Sequence, residues 1–332
     1  MFPIIYIEES VVSHPNTKDI CKRFPNSTPI LCKRYGEVFN RKAQNFRLQK
    51  KRPSLILAKK HENFVLKNPP ECQGIGETRN YYFSHMINCP FDCRYCFLQG
   101  MYRSANYVYF VNGEDFESSI QKKIQEFPDE TSCFFSGYDC DSLALEPITH
   151  FAEKILLFFE KNPSAILELR TKSEQISFLL DRKPLKNCII AFTLNPDKIS
   201  KSLEHKAPSL PRRLSAIKHL QERGWSIGLR FDPLIYCKEF KSLYKRFLQD
   251  VFLEIDACSI HSASFGPFRL PQKIYKKISS LYPHEALFAH SMEKRNETVS
   301  YSEKQESELL RFFKEELLKY LPENLLFPFN IR

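Results

Sequence analysis

Glycine is scarce in this chain, with nine among 332 residues, and tryptophan occurs once. Collagen-like and linker-like classes need far more glycine, and 29 Phe with 15 Tyr are too many aromatics for a disordered chain. No apolar run approaches the roughly 18 residues that a membrane span needs. The opening MFPIIYIEESVV has no basic leader and turns acidic at Glu8 and Glu9. A secretory signal is therefore not expected, and the protein is expected in the cytoplasm.

What is present points to a folded α/β protein. The length suits one large α/β domain, or a large one with a small one. Eleven cysteines are spread along the chain, and in a reducing compartment most read as small buried hydrophobes. Cys133 in TSCFFS and Cys188 in NCIIAF are of that kind. The net charge is +10, and the excess clusters between Lys33 and Lys60, where ten Lys and Arg face Glu37 alone. Such a stretch is either a solvated basic face or a phosphate-attracting surface with salt-dependent affinity for nucleic acid.

From about residue 80, strand-like and helix-like segments alternate. Strands are expected at Tyr81–Ile87, Thr131–Ser136, Ala165–Thr171, Asn187–Asn195, Trp225–Ile235 and Ala257–Phe265. Between them run apolar helical stripes, Phe151, Ile155, Leu156, Phe158 and Phe159 in one, Leu210, Leu214, Ile217 and Leu220 in another. Gly224 stands where the second stripe should end in a left-handed cap. Six β-α units imply a parallel sheet with helical crossovers, too few for a closed eight-stranded barrel. The expected fold is thus α/β, a partial (β/α)6 barrel over residues 76–332 with a C-terminal helix near Tyr301–Leu321. A small, basic α/β domain over residues 1–75 precedes it, with strands near Ile4–Ile7 and Ser54–Ala58. Polar residues two apart, Glu168 with Arg170, Thr193 with Asn195, Arg230 with Asp232 and Ser259 with His261, share strand faces and suggest a polar lumen.

One cysteine group has meaningful spacing. Cys89, Cys93 and Cys96 form C-x3-C-x2-C in NCPFDCRYCFLQ, in a loop after the first barrel strand. Three close thiolates can hold three irons of a [4Fe–4S] cubane and leave the fourth open for S-adenosylmethionine (SAM). Zinc is the rival reading, and its fourth ligand would be sought at Cys72 or His85.

The cysteine loop, with IIYIEESVVSHP, FFSGYDCDSLALEPITHF, LELRTKS, FTLNPDKI and SLPRRLSAIKHLQERGWSIGLRFDPLI, resembles the radical SAM superfamily and within it the spore photoproduct lyase family. The resemblance implies a DNA-repair lyase that splits a thymine dimer by adenosyl-radical chemistry, with flavodoxin or ferredoxin as electron donor. It places Cys140 as the hydrogen donor and Tyr95 among the catalytic residues. It also places Ser142, Lys172 and Thr193 at SAM, with Ser136 and Gly137 at the turn that meets the SAM amino group. Arg230 is a further cofactor-binding candidate. Phe97 stands where the lyase has a relay tyrosine. A radical SAM enzyme acting on RNA or a metabolite is the alternative, followed by a zinc or nucleic-acid-binding module.

Overall fold

The computed structural model describes residues 2–69, 74–77 and 79–329; Cys72 lies outside them. Six strands, Arg79–Phe83, Ser132–Ser136, Ala165–Thr171, Cys188–Thr193, Ser226–Leu234 and Ile260–Pro267, pair in chain order, each parallel to the next. They form the expected six-unit partial barrel. Leu326–Pro328 extends it in parallel at one edge, and Leu66–Lys67 adds an antiparallel strand at the other.

Burial explains why these segments are strands. All six residues of Cys188–Thr193 are buried, as are all five of Ser132–Ser136, which is what a parallel strand covered on both faces requires. The covering helices bury the expected stripes: Phe151, Ile155, Leu156 and Phe159 on Phe151–Lys161, and Leu210, Leu214, Ile217 and Leu220 on Leu210–Arg223. Gly224 ends the latter helix at φ +89°, a backbone that glycine adopts without the Cβ penalty. The C-terminal helix Glu303–Leu317 starts with a Ser302/Gln305 capping box. Its Phe313 ring lies 5.2 Å from Phe231 and 5.3 Å from Phe265, sealing the fifth and sixth strands. Each such buried ring contributes about 1.5–3 kcal/mol.

The smaller sheet runs Thr28–Cys32, Ile4–Glu8, Leu55–Ala58, Tyr107–Phe110, Met86–Ile87. Two of its strands come from beyond residue 75. The expected single strand Tyr81–Ile87 is therefore split: Arg79–Phe83 stays in the barrel, and Met86–Ile87 pairs antiparallel with Tyr107–Phe110. No helix among the described residues is long and apolar enough to cross a membrane.

Candidate active site

The cysteine loop lies between the first barrel strand and the short helix Leu98–Met101. Asn88, just before it, adopts φ +71° and donates to the carbonyls of Ser104 (2.8 Å) and Asn106 (2.7 Å). This pins the loop's entrance to its exit. Asp92 and Cys93 pair antiparallel with His205 and Glu204, and the Arg94 amide donates to the Leu203 carbonyl at 2.8 Å. The Arg94 side chain bridges Asp92 at 2.7 Å and Glu285 at 2.9 Å. Lys50 is buried and donates to the Cys89 carbonyl at 2.7 Å. Cys89, Cys93 and Cys96 are all free thiols on this braced loop.

Behind the loop sits a buried polar network. Tyr95 donates its phenol proton to Glu204, whose carboxylate also accepts from Asn195 Nδ2 at 3.0 Å and Ser200 Oγ at 2.8 Å. Arg213 completes it with an ion pair to Glu204, both side chains fully buried, and donates to the Thr193 carbonyl at 3.0 Å. Burial would raise the Glu204 carboxyl, but Arg213 and Lys172 hold it at about 2. Lys172 ends the third strand, its ammonium 5.5 Å from the centre of the Tyr95 ring. Burial works against its charge, yet Cys93 and Glu204 keep its pKa above the usual lysine value.

The second barrel strand leads into the turn 136–142, which knits three strand ends together. The Gly137 amide donates to Phe83 O at 3.2 Å, and the Ser142 amide to Arg170 O at 3.1 Å. The Asp141 carboxylate accepts from Thr171 Oγ1 (2.6 Å) and from the amides of Lys172 (2.7 Å), Ala144 (2.9 Å) and Leu143 (3.0 Å). Gly137 has φ +81°, and a Cβ there would lie 2.6 Å from Ser142 Oγ; only glycine suits the position. Cys140 is buried on this turn, and its thiol is pushed well above the usual range by burial and then by Cys89, Asp139 and Asp141. It is a protonated thiol within electrostatic reach of Cys89 on the cysteine loop.

The residues fit the cofactors. Three thiols on one loop would leave a cubane iron open; burial raises all three thiols, so a metal bound there would displace their protons. The hydroxyls of Ser136 and Ser142 and the carbonyl oxygen of Asn195 are buried, with no hydrogen-bond partner among the described residues. Orphaned buried polar atoms of this kind call for a ligand. A spore photoproduct lyase family model matches residues 3–328. The chain belongs to the spore photoproduct lyase family. Members are radical SAM lyases that use a [4Fe–4S] cluster and SAM to repair spore photoproduct. The chain is 23% identical to spore photoproduct lyase of Clostridium acetobutylicum over 75% of this chain and 73% of that one. It is 21% identical to the Bacillus subtilis enzyme over 86% and 83%. A solved spore photoproduct lyase variant with bound AdoMet and dinucleoside spore photoproduct superposes with TM-score 0.85, at 18% identity, over 100% of this chain and 99% of the other.

This family match sets aside the zinc module and the alternative substrates considered from the sequence. The zinc candidate His85 is stacked on Phe151 with ring centroids 4.1 Å apart, and burial keeps its pKa at about 3. Other sequence expectations also shift. Arg230, expected at the cofactor, is committed inside the barrel: it pairs with Glu168 (2.6 Å) and donates to Ser262 Oγ (3.0 Å) and to the Leu229 carbonyl (3.0 Å). The sixth strand turns Ser262 toward Arg230, while His261 is exposed. Asp232 pairs with Arg269 at 3.0 Å and takes no part in the Arg230 cluster. Glu204, Arg213, Asp141 and Lys50 escaped sequence reasoning. Lys50 sits in the basic stretch and reads there as surface; nothing in SLEHK marks Glu204 as buried. Phe97 packs near Tyr138, with ring centroids 5.6 Å apart, and Tyr138 lies 4.4 Å from Tyr82.

Proposed function

We propose that this chain repairs spore photoproduct in DNA with Cys89, Cys93 and Cys96 as cluster ligands and Cys140 as the hydrogen donor. The reading is supported most by Cys140, a buried, protonated thiol on the turn that abuts the cysteine loop. When bound, the cluster and SAM supply a 5′-deoxyadenosyl radical, the hard step that cofactors carry. Ser136, Ser142, Asn195 and the Gly137 turn bind SAM through their unpartnered polar atoms and close backbone approach. Lys172 and Thr193, at the ends of the third and fourth strands, line the same mouth. Cys140 gives its S–H hydrogen atom to the carbon radical left on the cleaved product; the S–H bond breaks, a C–H bond forms, and a thiyl radical remains. Phe97 has no O–H to restore that thiol directly. Tyr95 is bound to Glu204 and braces the loop. The substrate dimer must leave the helical stack to reach this mouth, and a lesion that stacks poorly makes extrusion cheaper. A flavodoxin or ferredoxin supplies the electron.

Cys140→Ala, reconstituted anaerobically and given dinucleoside spore photoproduct, is expected to cleave SAM and yield aberrant lesion products by chromatography. A product pattern matching the parent would remove Cys140 from its role. SAM consumption equal on irradiated and unirradiated DNA would count against repair.

A further inference from the structure

Outside the cysteine loop, segment 42–47 and the helix Gln272–Leu281 border an open groove of about 900 Å³. Lys42, Arg47, Arg103 and Lys277 line it with Asn45 and Ser280, and no carboxylate is among its lining residues. Lys42, Arg47 and Arg103 are exposed, and no ion pair takes up any of the four cations among the described residues. Burial and then the Arg103 charge lower the pKa of Lys277, as expected where like charges crowd without an acid between them.

The groove is coupled to the chemistry through short contacts. Lys277 Nζ donates to the Tyr102 carbonyl at 2.9 Å, and the Tyr102 phenol donates to Asp139 at 3.1 Å, next to Cys140. The helix Phe46–Lys51, which begins in the wall, carries in its last turn Lys50 and its bond to the Cys89 carbonyl. The geometry points to this groove as the bed for the phosphodiester backbone flanking the lesion, an inference that rests on the repair reading above. Four uncompensated cations along a concave channel, with an amide and a hydroxyl between them, match the repeating anions of a nucleic-acid strand. The link through Tyr102 places that strand beside the hydrogen donor. An acidic electron-carrier protein is the competing occupant, and a flat or convex patch would suit it better than a channel.

The test uses reconstituted holoenzyme carrying Lys42→Ala, Arg47→Ala and Arg103→Ala together; among the described residues none of the three has a hydrogen bond or ion pair to the cysteine loop or the turn 136–142, and Arg47 lies over the Tyr282 ring at 5.6 Å. Affinity for a lesion-containing oligonucleotide is measured across a salt series, alongside turnover of dinucleoside spore photoproduct. Loss of three phosphate contacts is expected to weaken oligonucleotide binding about tenfold or more and to flatten the log–log salt slope by about 2 to 3. Dinucleoside turnover, which needs no flanking backbone, is expected to be unchanged. Unaltered oligonucleotide affinity and slope with dinucleoside repair intact would overturn the groove assignment. Slower reduction by flavodoxin with DNA binding unaltered would also overturn it, giving the groove to the electron carrier. Should even the parent enzyme ignore the dinucleoside, the repair reading falls, while the salt slope still judges the groove.

Discussion

Arg230 and Glu168 join the fifth and third barrel strands, whereas Arg213 and Glu204 join a covering helix to the short strand that clamps the cysteine loop. Both pairs are almost completely buried, and both hold a carboxyl at about 2 against the burial that would raise it. Their surroundings differ. Glu168 shares its charge with Arg170 as well, and Arg230 also reaches Ser262, so the cluster ties the third, fifth and sixth barrel strands. Glu204 instead reaches Tyr95, within the C-x3-C-x2-C loop, and feels Lys172 beside Cys93. The first pair stabilises the scaffold; the second converts scaffold rigidity into the position of the C-x3-C-x2-C loop. Similar chemistry thus serves different ends according to what the second carboxylate oxygen touches.

Breaking one partner of each pair gives the largest contrast. Glu168→Ala and Glu204→Ala each strand a buried arginine, a loss of about 3–5 kcal/mol, seen as a comparable fall in unfolding free energy of the apo proteins. Only Glu204→Ala is expected also to lower iron and sulfide content after reconstitution. Equal cluster content in the two variants would erase the distinction.

Acid titration tests both pairs together. Each folded carboxyl lies near 2, below the unfolded value of about 4.5, so each contributes stability that is present above about pH 4.5 and lost as pH falls toward 2. The urea midpoint is expected to drop through that window, and Glu168→Gln is expected to flatten the drop. A midpoint insensitive to pH there would contradict the assigned ionisation.

The smallest effect belongs to Tyr95→Phe, which removes a hydrogen bond to a charged acceptor, about 1.5–3 kcal/mol, and a long one accepted from Asn195 at 3.4 Å. It is expected to alter the cluster's electron paramagnetic resonance signal while SAM is still cleaved. An unperturbed spectrum with abolished cleavage would instead make the phenol a reacting group.

The comparison also shows what could be read in the sequence. The six barrel strands are legible because their apolar runs must be covered on both faces, and Ala165–Thr171 matches residue for residue. The cysteine loop is legible because ligand spacing is a local property. Glu204 is not, since its tie to the cysteine loop runs to Tyr95, 109 residues away, and Arg213, only nine residues on, reads as one more charge on a surface helix. Arg230 misled for the same reason: a charge on a strand face can point to a ligand or to a neighbouring strand, and Glu168 decides which. Lys50 was hidden among true surface cations such as Lys51 and Arg52.

The strand Tyr107–Phe110 has a further consequence for synthesis. It lies between Leu55–Ala58 and Met86–Ile87, so the smaller sheet cannot be completed until about residue 110 has left the ribosome. By then Cys89, Cys93 and Cys96 have already emerged, while most barrel strands have not. Domains tend to form as units from the N-terminus during translation, and here the last strand of the early unit ties down the far end of the thiol loop. The nascent chain thus presents Cys89, Cys93 and Cys96 on an anchored loop before the pocket that will shelter them exists.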